Sequence, residues 1–281
     1  MLQCMIRFAR KNRPPSSPAA AARMFPVPSL FLALFLAAIQ PSAAKPATTQ
    51  PNIGKGDAPS GPVAVELFTS QGCSSCPPTE DFLAELAGRP GVIALEFHVD
   101  YWDYIGWKDP FADPAFTARQ RAYARALDQP YVYTPQIVID GADHAVGSRR
   151  DAVEARMAAA RRRHDLSRAE GTAPDLSLDL VAGRGYRIRV DGPGPAPGES
   201  FRLLLIGFDR RHATRVGAGE NRGRTLESAH IVRALVPLGP WTGGRLSRIV
   251  PADSVTGDGG VAVFLQDGAA GPIAAAAMIR F

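Results

Sequence analysis

The sequence has little cysteine: three residues in 281, at Cys4, Cys73 and Cys76. That scarcity excludes a miniature fold in which a dense disulfide framework replaces a core. Acidic residues are missing altogether before Asp57, and the five charges ahead of Lys45 (Arg7, Arg10, Lys11, Arg13, Arg23) are all positive. A long apolar run is missing too. "LFLALFLAAI" at residues 30–39 is about half of the ~20 residues that span a bilayer as a helix, and no later stretch approaches that length.

These absences leave the pattern of a secretory signal peptide over residues 1–44: a basic segment, a short apolar run, then "QPSAAK" with the small residues Ser42 and Ala44 ahead of a cut. A start at Met24 would keep the apolar run and lose the charge. The expected product is exported, periplasmic or secreted, with no stable membrane insertion after cleavage. Of the 32 basic residues five leave with the leader, so 27 remain against 27 acidic ones. The high isoelectric point therefore belongs to the leader, and no nucleic-acid partner or anionic membrane is expected. Cys4 leaves as well, which puts Cys73 and Cys76 alone in an oxidising compartment.

Residues 45–61, "KPATTQPNIGKGDAPSG", are rich in Pro, Gly and Thr and read as a flexible linker. Order is expected from Pro62. "VAVELF" (63–68) reads as a strand buried on both faces, "TEDFLAELAG" as a helix with Phe82, Leu83 and Leu86 inward, and "VIALEFHVDY" (92–101) as a second strand. Strand, helix, strand at this spacing is a right-handed parallel crossover. A further helix should start at Asp113–Pro114, with Phe116, Tyr123 and Leu127 on one face and Arg121 and Arg125 opposite. "YTPQIVIDGADHAVGS" reads as a hairpin turning at Asp-Gly, and "SRRDAVEARMAAARRRHDL" as a helix with Ser148 and Asp151 in a capping box. From residue 171 the period shifts toward two, in short runs between Gly/Pro clusters. The expected fold class is α/β over 62–168 with a helical insertion, followed by a smaller all-β, sandwich-like domain over 171–281.

In "FTSQGCSSCPPTEDF" two sulfurs two residues apart at a helix mouth can close a small ring and reopen it. Free amides and the dipole at a helix start favour the thiolate, which is the attacking species. Cys73, earlier and more exposed, is the expected nucleophile, and Cys76 the resolving thiol. Two other readings stand beside this redox couple: an inert disulfide, and a copper or zinc metallochaperone in which Cys73 and Cys76 join a histidine, His98 being the candidate. Zinc would need about four ligands; copper(I) is content with fewer soft ones.

The C-x-x-C at the first strand-to-helix junction, with a β-β-α unit after the β-α-β, resembles the thioredoxin fold. Together with "FHVDYWDYIGWKDPF", "YTPQIVIDG" and "GENRGRTLESAHIVRAL" it is similar to a secreted bacterial family, thioredoxin-like in fold and catalogued as a domain of unknown function. The resemblance implies that Thr134–Pro135 is cis and lies against the cysteine pair, leaving the Thr134 backbone to pair with an extended substrate. It also implies a buried proton-accepting carboxyl near Glu66, whose alternative is a solvent-facing strand residue. The chain departs from thioredoxin at Gly72, Ser74-Ser75 and Pro77-Pro78, which predicts a helix that starts late and a less stabilised thiolate. His98, Asp100, Trp102, Asp103 and Trp107 follow the end of a parallel strand, as a substrate wall, a proton shuttle or core. His230, near Glu220, Asn221 and Arg224, reads as a docking residue between the two parts. The resulting expectation is an exported thiol–disulfide oxidoreductase acting on protein or small-molecule thiols and disulfides, with no organic cofactor.

Overall fold

The computed structural model describes residues 61–281 and a two-residue strand, Ile6–Arg7 (β1). Apart from that dipeptide and Gly61, the expected leader (1–44) and linker (45–61) lie outside the described residues. Among the described residues no helix is long and apolar enough to cross a membrane.

Val63–Thr69 (β2) and Val92–His98 (β3) are buried along their whole length and pair in parallel, Val63 beside Val92, with helix α1 (Pro77–Ala87) between them. Unbroken burial is what a strand covered on both faces requires, and it explains why neither alternates polar with apolar. A 3-10 turn (Asp100–Ile105) leads to α2 (Pro114–Ala126), where the Asp113 carboxylate accepts a hydrogen bond from the Ala115 N–H at 2.7 Å, as the Asp-Pro start predicts. The short strand Tyr131–Val132 (β4) pairs with β1. Gln136–Ile139 (β5) then runs antiparallel to β2 and turns back through Asp-Gly into Asp143–Val146 (β6). Gly141 has φ +62°, and a Cβ there would lie 2.2 Å from the Gly271 carbonyl oxygen, so the turn needs glycine on both counts. The following helix, α3 (Arg150–Ala169), starts after Arg149 with no side-chain cap, so the expected Ser148–Asp151 box does not form.

The remaining strands correct the two-domain expectation. They are Asp175–Val181 (β7), Gly185–Asp191 (β8), Phe201–Arg215 (β9), Thr225–Pro240 (β10), Leu246–Val250 (β11), Gly260–Asp267 (β12) and Ile273–Arg280 (β13). Four of them extend the first sheet, giving one eight-stranded sheet in the order β13-β12-β9-β10-β3-β2-β5-β6; β11-β8-β7 form a separate three-stranded sheet. A sandwich does exist, but one of its layers is the same sheet that carries the helices. Leu178, Ile188 and Val190 of the small sheet pack on Leu205, Val263 and Leu265 of the large one. Val63, Val65 and Leu67 pack on Leu83 and Leu86 of α1 and on Val153 and Met157 of α3. The opposite parity, Ala64 and Phe68, meets Phe116 and Tyr123 of α2.

Glu66 shares that second parity and is 1% exposed. Its carboxylate is held by Arg119 of α2 (Nε 2.5 Å, Nη2 2.9 Å) and by the Tyr123 hydroxyl (2.5 Å). Gln266 of β12 closes the network, accepting from Arg119 Nη1 at 3.1 Å and donating to the Tyr123 oxygen at 2.8 Å. Burial opposes the guanidinium's charge, yet Glu66 outweighs it and raises the Arg119 pKa. A buried charge pair is costly mainly when one member is removed. Arg119→Met is therefore expected to destabilise the protein by about 3–5 kcal/mol in denaturant unfolding; a change within about 1 kcal/mol would show the network to be dispensable.

Candidate functional site

The cysteine loop leaves β2 at Thr69 and turns at once, with the Cys73 N–H on the Ser70 carbonyl (3.0 Å) and the Cys76 N–H on the Cys73 carbonyl (3.2 Å). Cys73 and Cys76 are joined as a disulfide with their Cα atoms 5.5 Å apart. Helix α1 begins only at Pro77, after the second cysteine, as the two prolines predict. Cys76 nonetheless holds helical dihedrals (φ −80°, ψ −42°). Its carbonyl accepts from both Thr79 (2.8 Å) and Glu80 (3.1 Å), so the first-turn amides are spent inside the helix. The Ser75 hydroxyl lies 3.3 Å from Cys73 Sγ. At Gly72 a Cβ would meet Ile105 Cδ1 at 3.1 Å and Trp102 Cβ at 3.4 Å, so a larger side chain would press on that wall.

The expectation of an exposed Cys73 is corrected. Cys73 is 1% and Cys76 0% exposed, while Ser74 and Ser75 between them face solvent. The cover comes from the loop joining β9 to β10. Asn221, fully buried, donates through Nδ2 to the carbonyls of Gln71 and Cys73, each at 3.0 Å, and Glu220 accepts from the Ser74 N–H at 2.9 Å. Trp107 reaches across to Gln71 Oε1 (3.1 Å) beneath Gly217 of the same loop. The sequence places Asn221 and Glu220 beside His230 without a role; their reach to the cysteine loop is a long-range fact that no local pattern carries. His230 itself lies at the sheet junction, Nδ1 donating to the Ala94 carbonyl at 2.9 Å.

The Thr134–Pro135 peptide is cis. Thr134 is buried, and its hydroxyl accepts from Trp102 Nε1 at 2.8 Å. Because Trp102 also packs beside Gly72, it links the cysteine loop to the cis proline. Of the other aromatic-segment residues, Asp100 accepts from the Thr117 hydroxyl (2.5 Å) and Asp103 from the Asp109 N–H (3.3 Å), so both are structural. Glu66 is on the α2 side, committed to Arg119, and is corrected as a proton acceptor. A cleft of about 870 Å³ between α3 and the three-stranded sheet shares no residue with the cysteine loop.

On the α1 side of β2 and β3 lies a sealed acid cluster that the sequence reading misses, apart from His98. His98 has both ring nitrogens on carboxylates, Nδ1 to Asp109 and Nε2 to Glu96, each at 2.8 Å. Burial opposes its charge, but these two partners prevail and hold its pKa well above the usual value. Burial likewise works against the Asp109 carboxylate, while His98 and the Gln71 and Phe111 amides keep it below the usual range. With both nitrogens taken, His98 does not join Cys73 and Cys76 as a metal ligand. Among the described residues no group of three or more His, Cys, Asp or Glu side chains is placed to hold a metal ion.

Glu80, 2% exposed, is the fourth member. Burial first, then the charge of Glu96, push its pKa up to about 8, against the pull of His98 and the Thr69 hydroxyl. A carboxyl protonated in the folded state and ionised in the unfolded one stabilises the fold below its unfolded pKa and loses that contribution as pH rises. Thermal unfolding of Glu80→Gln should therefore match wild type near pH 4.5 and exceed it increasingly toward pH 8. A constant difference across that range would mean that Glu80 does not titrate there.

No curated protein matches the chain. A crystal structure of protein AGR_C_4864 from Agrobacterium tumefaciens is similar, with 31% identity, 77% of this chain and 93% of that one covered, and a TM-score of 0.63. HBP35 of Porphyromonas gingivalis matches at 15% identity over 78% of this chain and 75% of that one, with a TM-score of 0.47. The family model described as "Protein of unknown function (DUF1223)" matches residues 64–266. The mixed α/β chain, with its large sheet and few helices, belongs to that family.

Proposed function

We propose that the chain is an exported thiol–disulfide oxidoreductase of thioredoxin-like fold whose reactive pair is kept under a cover formed by its own C-terminal segment. The observation that carries this reading is the bonded Cys73–Cys76 pair at a strand-to-helix junction, linked through Trp102 to a cis Thr134–Pro135. The strand order β3-β2-β5-β6, with the cysteines after β2 and the cis proline before β5, supports the thioredoxin-like assignment. The leader pattern supports export to the periplasm or beyond.

In the reaction a substrate thiolate attacks Cys73 Sγ, the Cys73–Cys76 bond breaks, and Cys76 carries the electron pair away. Displacement of Cys73 by a second substrate thiol then leaves the disulfide on the substrate. The reverse sequence, in which the Cys73 thiolate attacks a substrate disulfide and Cys76 resolves the mixed disulfide, reduces the substrate. With Cys73 Sγ buried, loop 216–224 must first lift, which costs the two Asn221 hydrogen bonds and frees the Gln71 and Cys73 carbonyls and the Ser74 N–H for an extended substrate. Protein or small-molecule thiols and disulfides are the substrate class.

The burial of both sulfurs favours a second reading, an inert staple. Two measurements separate them. Cys73→Ser should abolish disulfide exchange with an insulin-type substrate while far-UV circular dichroism is unchanged; full activity in that variant rules the enzyme out. Asn221→Ala should speed reduction of the native disulfide by dithiothreitol about tenfold, the effect of losing about 1.4 kcal/mol of closing energy. Reduction that proceeds only at the rate of global unfolding, in both proteins, would leave the staple.

A further inference from the structure

The acid cluster lies directly beneath the loop that carries the two sulfurs. At one end the Thr69 hydroxyl, where β2 gives way to the cysteine loop, donates to Glu80 Oε1 at 2.6 Å. At the other the Gln71 N–H donates to Asp109 Oδ2 at 2.8 Å, and Asp109 holds His98, which holds Glu96. Glu80 stands one helical turn after Cys76, its N–H on the Cys76 carbonyl. Helical side chains lean back toward the N-terminus, which aims the Glu80 carboxyl over the Cys76 turn.

Charge decides where the cluster keeps its spare proton. An imidazole bonded at both nitrogens by carboxylates is a cation, so Glu96, His98 and Asp109 together are already one unit negative. A third carboxylate in the same sealed volume would double that charge without a counterion. Glu96 spends its second oxygen on the Ala229 N–H of β10 (3.1 Å), and Asp109 has backbone donors at both oxygens. Glu80 has the Thr69 hydroxyl on one oxygen and no partner on the other, which is buried. The carboxyl hydroxyl of Glu80 thus has no acceptor while the disulfide is closed.

We propose that Glu80 holds the proton that Cys76 takes up when the disulfide opens, and accepts it back when the disulfide re-forms. This rests on the oxidoreductase reading. With a dithiol as reductant, one thiolate of the reductant bonds to Cys73 Sγ, the Cys73–Cys76 bond breaks, and the electron pair left on Cys76 Sγ takes the Glu80 proton. The reductant's second thiol, deprotonated by solvent, then displaces Cys73, which is protonated from water. The reductant leaves oxidised, and Glu80 regains its proton from solvent. In the reverse reaction Glu80 first releases that proton to solvent and then takes the one on Cys76. The groups facing the Glu80 carboxyl are Thr69 of β2, Glu96 and His98 of β3 and Asp109 of the following loop, and at the helix start the Cys76 carbonyl accepts the Glu80 N–H. From β10, His230 faces it only through Glu96.

The test is the rate of disulfide reduction in the folded, oxidised protein by excess dithiothreitol, divided by dithiothreitol thiolate concentration, from pH 6 to 9.5. Wild type should be flat at low pH and fall about tenfold per unit once pH passes about 8, as the acid is lost. Glu80→Gln, an isostere of the protonated acid that cannot give a proton, should be slower by about tenfold or more at pH 6.5 and show no break. Thr69→Val removes a hydroxyl that favours the ionised carboxyl, so its break should move to higher pH. A Glu80→Gln protein with the wild-type rate and the wild-type break overturns the proton assignment and leaves the oxidoreductase reading in place. Should that variant fail to fold, an unmoved break in Thr69→Val overturns it equally. A wild-type disulfide that resists dithiothreitol at every pH while folded overturns both.

Discussion

One strand contact organises the molecule: β10 lies parallel to β3, with Ile231 beside Glu96. It fuses the C-terminal strands to the α/β strands as a single sheet. The splice is local and strained, for His230 has φ +53°, a left-handed conformation that a non-glycine residue enters at some cost. Its imidazole on the Ala94 carbonyl and the Ala229 N–H on Glu96 fix β10 against β3 at that kink. Once β10 is fixed there, the β9–β10 loop has one place to go, the end of the sheet where β2 delivers the cysteines. The cover over the disulfide is therefore a consequence of sheet continuity.

The polar groups around the sulfurs are arranged in a way that does little for a thiolate. Pro77 and Pro78 contribute no N–H, the amides of Thr79 and Glu80 turn to the Cys76 carbonyl, and that of Ser74 is engaged by the Glu220 carboxylate. What remains on the favourable side is the Ser75 hydroxyl. A dithiol whose thiolate is strongly stabilised makes a strong oxidant, because its reduced form is favoured. Here the reduced form gains little from its surroundings, and the closed disulfide also keeps the Asn221 and Glu220 contacts. Both considerations favour the bonded state over the open one.

Local chemistry was legible in the sequence, and cross-chain chemistry was not. β2, α1 and β3 follow from buried runs and helix periodicity, the start of α2 from Asp113–Pro114, and the late start of α1 from its two prolines. Arg119 is absent from the sequence reading of α2, which places only Arg121 and Arg125, opposite the apolar face. Yet it lies three residues after Phe116 and four before Tyr123, on the buried stripe, with Glu66 at the facing parity of β2. Glu80 carries no sequence signal of its role, being a first-turn acid of an ordinary kind, although Glu80, Leu83 and Ala87 share one buried face. The separate sandwich failed for a related reason. The polar ends of β9 and β10, such as "RRHATR", look like loop, and only pairing over 15 and 16 residues shows them as strands.

The two buried charge networks differ in a way that bears on function. In the first, the bidentate contact of Arg119 and the Tyr123 hydroxyl leave Glu66 fully engaged, and with Gln266 they hold β2, α2 and β12 together. In the second, three carboxyls share one imidazole, and an oxygen of Glu80 stays unpartnered. Selection for stability alone would favour an apolar residue at position 80, since a leucine there would fill the same face of α1 without a desolvated oxygen. An incomplete buried network lowers stability at neutral pH wherever it occurs. Under the oxidoreductase proposal, its position beneath a cysteine pair, one helical turn from Cys76, gives that cost a chemical reason.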